Sequence, residues 1–434
     1  MKSVARRVTD AKIEIGNGRV IDPKHGLDRT ATLYIAAGKV AAIGEAPAGW
    51  AANRTIDATG LVVCPGLIDL SARLREPGFE YKATLESEMG AAVAGGVTSL
   101  ACPPDTDPPL DEPGLVEMLK HRARSLHQTH VYPIGALTVG LAGEELTEMA
   151  QLTDAGCVAF SHADHPLVDT QVLYRAMQYA ATFGYRVWLR PQDAHIGKGG
   201  VAHDGEVATR LGLAAIPAFA ETIALATILA LVRDTGVRVH LCRISTADGV
   251  AQVRAAKRDG LPVTCDVGVH HLHLCDVDIG WFDPHCRLVP PLRGIRDRDA
   301  LRAGLADGTI DVACSDHTPV DDDGKQLPFG EAEPGATGLE LLLPLTLKWA
   351  QDEKIPLPAA LARLTANPAA ILGLDAGNLA VGQPADVCIF DPVAHWLVEP
   401  TALRSQGKNT PFLGLEVPGK VRMTLVGGQV VFES

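Results

Sequence analysis

Val62-Val63-Cys64-Pro65-Gly66-Leu67-Ile68-Asp69-Leu70 is a short apolar run that breaks into polar residues at Ser71 and Arg73, and a Glu- and Ala-rich helical stretch follows from Glu86 to Ala94. Toward the C-terminus the same unit repeats. Val97-Thr98-Ser99-Leu100-Ala101 precedes a helical stretch near Gly114 to Ser125, and further short apolar runs open at Val131, Cys157, Arg186, Arg238, Val263 and Asp311. Counted from Val62, eight strands alternate with helices, the number that closes a (β/α)8 barrel. Alternation alone does not report closure, so a doubly wound open sheet is equally compatible with it.

Outside this central part, residues 61-374, the chain reads differently. Lys12-Ile13-Glu14-Ile15, a turn at Gly16-Asn17-Gly18, Arg19-Val20-Ile21, Ala31 to Ile35, a turn at Gly38 and Val40 to Ile43 alternate as strands do, and similar runs return at Asp386 to Phe390, Val421 to Val426 and Val430 to Phe432. Each set is too small to be stable alone. The expectation is therefore an α/β chain: a barrel beside one small β-sandwich domain built from residues 1-60 and 375-434.

The composition narrows the function. With 39 basic and 52 acidic residues among 434, the formal charge is −13, which argues against a nucleic-acid or anionic-membrane partner. The 47% apolar and 21% charged content is that of an ordinary globular protein. No apolar stretch is long enough to span a bilayer, and Met1-Lys2-Ser3-Val4-Ala5-Arg6-Arg7 lacks a secretion signal's apolar core, so a cytoplasmic setting is expected. Nine scattered cysteines without a C-x-x-C pair suggest neither a disulfide framework nor a zinc ribbon, and they read as buried small hydrophobes.

Pro65-Gly66-Leu67-Ile68-Asp69-Leu70 resembles the metal-dependent amidohydrolase superfamily, and Leu74-Arg75-Glu76-Pro77-Gly78-Phe79-Glu80-Tyr81-Lys82 resembles dihydroorotase in particular. The likeness continues through Ala94-Gly95-Gly96-Val97-Thr98, Arg210-Leu211-Gly212, Ile216-Pro217-Ala218, Ala220-Glu221, Pro290-Pro291-Leu292-Arg293, Ser315-Asp316-His317-Thr318-Pro319, Asn367-Pro368-Ala369 and Asn409-Thr410-Pro411-Phe412. It implies a (β/α)8 barrel with a satellite sheet, and an ancestral chemistry in which a metal-bound hydroxide opens or closes a cyclic amide.

The positions that the resemblance assigns to that chemistry are altered. Where the family carries His-x-His on its first barrel strand, this chain has Ser71 and Arg73; where a His opens His-Cys-Glu-Asp after the fifth strand, it has Arg190; where the sixth-strand motif reads Cys-His-Val-Ser-Thr, it has Arg243. His162 in Phe160-Ser161-His162-Ala163-Asp164 stands near the place of the bridging acidic ligand, and only Asp316 of the metal set is retained. Among substrate-holding positions Arg75 remains, but the family's Asn is Asp105 and a His is Val320. A guanidinium has no lone pair to give and repels a dication. The expectation is a barrel with no catalytic residue, no cofactor and no metal, whose former site is Ser71, Arg73, Arg75, Asp105, His162, Arg190, Arg243, Asp316 and Val320. The arginines are expected to pair with Asp316 and neighbouring acids and to fill the site.

Other histidines are weaker candidates. His270-His271 matches a pair in the family and reads as structural, and the three-residue spacing of His162 and His165 is interrupted by Pro166. By resemblance to noncatalytic dihydroorotase-like subunits, the expected partner is the catalytic chain of aspartate transcarbamoylase, in a homo- and hetero-oligomer. Two alternatives stay open: a working dihydroorotase-type cyclic amidase with a displaced metal, and an arginine-rich mouth that binds an anionic ligand.

Overall fold

The computed structural model describes residues 11–434; the stretch Met1 to Arg7, inspected above for a secretion signal, lies outside them. Eight parallel strands run in the order Leu67–Asp69, Val97–Cys102, His130–Ala136, Ala159–Ser161, Arg186–Leu189, Arg238–Leu241, Val263–Gly268 and Val312–Cys314, each paired with the next. The eighth returns to the first through a parallel bridge between His317 and Ala72, where His317 N donates to Ser71 O at 3.0 Å and Arg73 N to His317 O at 2.9 Å. Buried Asp69 reinforces the seam by accepting from Ser315 N at 2.8 Å and from the Ser315 hydroxyl. The barrel reading holds, and the open sheet is excluded.

Strand alternation sets the layers. Ile68, Leu70, Ala101, Ile134, Ala159, Trp188, Val312 and Cys314 point inward and form one core, while Leu67, Val97, Leu100, Val187, Val239 and Leu241 point out toward the helices. Eight of the nine cysteines are buried, Cys242 is partly so, and all are free thiols, in line with their reading as small hydrophobes.

The run read as one strand from Val62 to Leu70 divides at Gly66. Val62–Pro65 belongs to the terminal sheet, where it runs parallel to Ile13–Asp22 and antiparallel to Val387–Leu397; only Leu67–Asp69 enters the barrel. The two ends of the chain thus meet through a strand that neither contains. Val63 faces the satellite core with Ile15, Leu33, Ile389 and Leu425, and its neighbours Val62 and Cys64 face the barrel with Phe390 and Val421. The whole is one eight-stranded sheet folded over a shared core. The segment between Val398 and Leu415 instead packs on the barrel, where Asn409 accepts from Val320 N and donates to Thr318 O.

The turn expected at Gly16-Asn17-Gly18 is a bulge inside a continuous strand, Ile13–Asp22. Asn17 adopts φ 63°, and a Cβ on Gly18 would lie 2.7 Å from Val63 Cγ2. The two glycine-flanked positions let the strand kink and press against Val63 rather than reverse.

Candidate functional site at the barrel mouth

The C-terminal ends of the strands bring most of the singled-out residues together. The Arg73 guanidinium donates from Nε to Asp105 Oδ2 at 2.7 Å, from Nη2 to Asp164 Oδ2 at 2.6 Å and from Nη1 to the Thr318 hydroxyl at 3.0 Å, with Asp316 Oδ1 3.6 Å away. Arg243, just past the sixth strand, holds the Asp164 carboxylate with both terminal nitrogens and donates to Asp316 Oδ1 at 2.9 Å. Arg190 places Nε 2.7 Å from Asp164 Oδ1 and donates from Nη2 to the Asp164 carbonyl at 3.1 Å. The Ser71 hydroxyl donates to Asp316 Oδ1 at 3.5 Å. Three guanidiniums therefore face three carboxylates.

The arginine side chains are only 6%, 7% and 5% exposed at 73, 190 and 243, while Asp164 keeps 30%. At Asp164 burial pushes the carboxyl up, but Arg243, Arg73 and Arg190 together hold it well below the usual carboxylate range. At Asp316 burial prevails over Arg243 and Arg73, and the carboxyl is raised. Arg73 is buried yet held above the ordinary guanidinium range by Asp105 and Asp164, and Arg243 likewise by Asp164 and Asp316. Burial outweighs Asp164 at Arg190, which is lowered. In so dry a place, paired charges interact strongly and an unpaired one is costly.

The backbone is strained where these residues sit. Arg75, Ala163, Arg243 and Asp316 all have left-handed φ values, 61°, 50°, 54° and 46°, each unfavourable by about 1–2 kcal/mol for a residue with a Cβ. Hydrogen bonds hold the turns: Ala163 N donates to Ser161 Oγ at 3.0 Å and Arg243 N to Asp266 Oδ1.

Three expected members stand apart. Arg75 turns away to donate to Pro319 O at 2.8 Å and lies over the Phe79 ring. His162 is buried between the Thr138 hydroxyl at 2.9 Å and the His165 carbonyl at 2.8 Å, and burial lowers its pKa. Val320 is buried beneath Asn409. His270 and His271 are buried beside the mouth. Burial pushes them down to about 3 and about 4, so they are neutral, and His271 Nε2 lies 3.1 Å from Pro290 O.

Asp164 was legible only as a neighbour of His162, yet it is the centre of the network. The signal was arithmetic: three arginines require three acids, and Asp105 and Asp316 supply two. Asp105, read as a damaged substrate position, is instead the carboxylate that answers Arg73.

The residues present do not fit a catalytic dication. The donor positions of a hydrolytic metal are taken by guanidiniums that are themselves bonded to the remaining carboxylates. Between Leu70, Ser71, Arg73, Trp188, Cys242 and Arg243 the cavity has room for about 20 Å³, the space of a single water. Among the described residues, one cluster has donors close enough for a metal, His240, Cys242 and Asp266, with ligand atoms within 4.8 Å of one another. Its donors are engaged: His240 bonds Thr264 Oγ1 at 2.8 Å and Asp266 Oδ2 at 3.0 Å, Asp266 also accepts from Arg243 N, and burial keeps the Cys242 thiol protonated.

Comparison with known proteins fits this geometry to a lineage. The profile of the family described as dihydro-orotase-like matches residues 60–249, and that of the amidohydrolase family matches residues 187–432. A dihydroorotase-like protein of Pseudomonas aeruginosa is 48% identical over 97% of this chain and 99% of its own. A dihydroorotase of Geobacter sp. strain M21 is 41% identical over the same shares, 97% and 99%. Among solved structures, the L-hydantoinase (dihydropyrimidinase) of Arthrobacter aurescens superposes with a TM-score of 0.88 at 26% identity, covering 97% of this chain and 96% of that one.

Proposed function

Because the chain belongs to the dihydroorotase-like family of amidohydrolases, we propose that it is a noncatalytic member whose barrel serves as a structural and assembly subunit. Its proposed partner is the catalytic chain of aspartate transcarbamoylase, in pyrimidine biosynthesis. The observation that carries the first half is the neutralised mouth: Arg73, Arg190 and Arg243 occupy the donor positions and are ion-paired with Asp105, Asp164 and Asp316. The small room left there, about 20 Å³, and the ion pairs that engage the remaining carboxylates support this reading. The second half rests on the resemblance to noncatalytic dihydroorotase-like subunits. A setting among reduced cytoplasmic thiols suits the free cysteines, and among the described residues no helix is long and apolar enough to cross a membrane.

The runner-up, a working cyclic amidase, draws support from the dihydroorotase name carried by relatives 41% identical. The same small cavity weighs against an anionic ligand at the mouth. Co-expression with the transcarbamoylase catalytic chain, with metal content and carbamoyl-aspartate cyclisation measured on the purified chain alone, separates the readings. Co-purification, an assembly or transcarbamoylase activity that fails without this chain, and no cyclisation are expected. Steady turnover by metal-loaded protein would overturn the noncatalytic reading, and absence of any association would overturn the assembly role.

A further inference from the structure

Asp164 and Asp316 answer the same arginines but are held differently. Asp316 lies two residues past strand Val312–Cys314, and the chain beyond it is built into the barrel: His317 N donates to Ser71 O at 3.0 Å and Thr318 N to Ala336 O at 2.8 Å. Asp164 sits instead on the segment that leads from strand Ala159–Ser161 to helix Thr170–Phe183. Among the described residues, no bond between main-chain groups ties positions 163–168 to another part of the fold; the one such bond here, from His165 N to His162 O at 3.1 Å, is internal to the segment. Ala163 carries its left-handed φ of 50° at the base of it, and His165 and Val168 face solvent. A stretch so sparsely bonded opens at little cost.

The Asp164 carboxylate also leaves its arginines incompletely served. Arg190, 7% exposed, has no other acid at ion-pair distance among the described residues, and its Nε, though 2.7 Å from Asp164 Oδ1, makes no directed hydrogen bond. Arg243 Nε is likewise buried without an acceptor. Unsatisfied buried donors are costly, and a planar carboxylate has two oxygens to divide among three guanidiniums. The room beside the network is only about 20 Å³, so a further acceptor has to take the place of the carboxylate rather than lie next to it.

We propose that the mouth is an oxyanion site occupied by the chain's own Asp164, and that a tetrahedral anion, orthophosphate or a phosphate monoester, displaces this side chain and binds Arg73, Arg190 and Arg243. With Asp164 swung out, three guanidiniums face only Asp105 and Asp316, and burial already raises the Asp316 carboxyl. The vacated place therefore carries an excess of positive charge, to which Arg75, close enough for the charge of Arg73 to act on it, adds. A phosphoryl group brings more acceptor oxygens than a carboxylate and pairs with guanidiniums in bidentate fashion, so it can serve the Nε–H groups of Arg190 and Arg243 that Asp164 leaves unbonded. The inference goes beyond the proposed function: a barrel that hydrolyses nothing can still bind an anion, and the failure of either leaves the other standing.

Calorimetric titration of the full chain with orthophosphate and with methyl phosphate, at constant ionic strength in chloride, tests it. One site per chain is expected, tightened roughly tenfold by Asp164→Asn and weakened roughly tenfold by Arg190→Gln, and the tighter of the two probes names the source of the phosphoryl group. In the wild-type chain that probe is expected to speed chymotryptic cleavage after Leu167, because the segment leaves the mouth with Asp164. No binding of either probe to the wild-type chain overturns the proposal, and so does binding that Arg190→Gln leaves unchanged or that leaves the cleavage rate at Leu167 unaltered. Should Asp164→Asn fail to fold, Arg190→Gln and the wild-type cleavage rate decide in the same sense.

Discussion

At the barrel mouth three guanidiniums lie almost out of reach of water, paired with three carboxylates of which only Asp164 keeps much exposure, whereas helix Phe219–Thr235 turns Phe219, Ile223, Ala226 and Ala230 toward solvent without a charge among them. Usual burial rules place these groups the other way round. The mouth holds its charges because every one has a partner at ion-pair distance; the helix leaves apolar groups outside because within one chain they have none. Charge that is satisfied closes a region off, and apolar surface that is unsatisfied leaves one open.

The largest effect should come from Asp164. Asp164→Ala leaves Arg73, Arg190 and Arg243 crowded together without their shared carboxylate, and urea unfolding is expected to show a loss of about 3–5 kcal/mol. The exposed pair Arg254 and Asp307, 2.8 Å apart, is the contrast: Arg254→Ala should change stability by less than about 1 kcal/mol. Equal losses at the two sites would abolish the distinction drawn between mouth and surface.

A smaller effect is expected from removing both members of one pair. Arg73→Met alone leaves Asp105 and part of Asp164 uncompensated, and adding Asp105→Leu should restore about 1–3 kcal/mol of what it lost, read as a coupling energy in a double-mutant cycle. Strict additivity would mean the two side chains are neighbours but not partners.

Acidity probes the mouth differently from the loop beside it. Asp164, held below the usual range, contributes stability that is fully present above its unfolded pKa of about 3.9 and lost only as pH falls below it. Buried Lys325 behaves otherwise. Its Nζ donates to Pro284 O at 2.9 Å and Arg287 O at 3.3 Å, two bonds that a neutral amine satisfies, and burial lowers it to about 7. Between about pH 7 and the unfolded value near 10.4 the unfolded chain binds a proton the folded one does not, so stability rises with pH by up to about 1.4 kcal/mol per unit. Lys325→Met should flatten that slope; an unchanged slope assigns it to another group. The smallest expected effect is that of a chelator: melting with and without EDTA should coincide, and a lowered melting temperature would reveal a metal the mouth is not built to hold.

Much of this was legible before any coordinates. Short apolar runs alternating with helical stretches pointed to the eight strands, Arg186–Leu189 to the residue, because parallel strands buried on both faces read as near-continuous apolar runs. The three arginines were legible as misfits to metal chemistry. Asp164 was not, since its role depends on three strand ends converging from distant sequence. Nor was the division at Gly66: Val62 to Leu70 is apolar throughout, and only the partners of Val62 and Leu67 tell that they serve different sheets.

That shared strand sets an order on synthesis. Val62–Pro65 leaves the ribosome early, but one flank stays bare until Val387–Leu397 has been made, on the order of tens of seconds later at ordinary elongation rates. During that interval Val62, Val63 and Cys64 lack the partner strand on that flank, and all the barrel's strands must emerge before it can be covered.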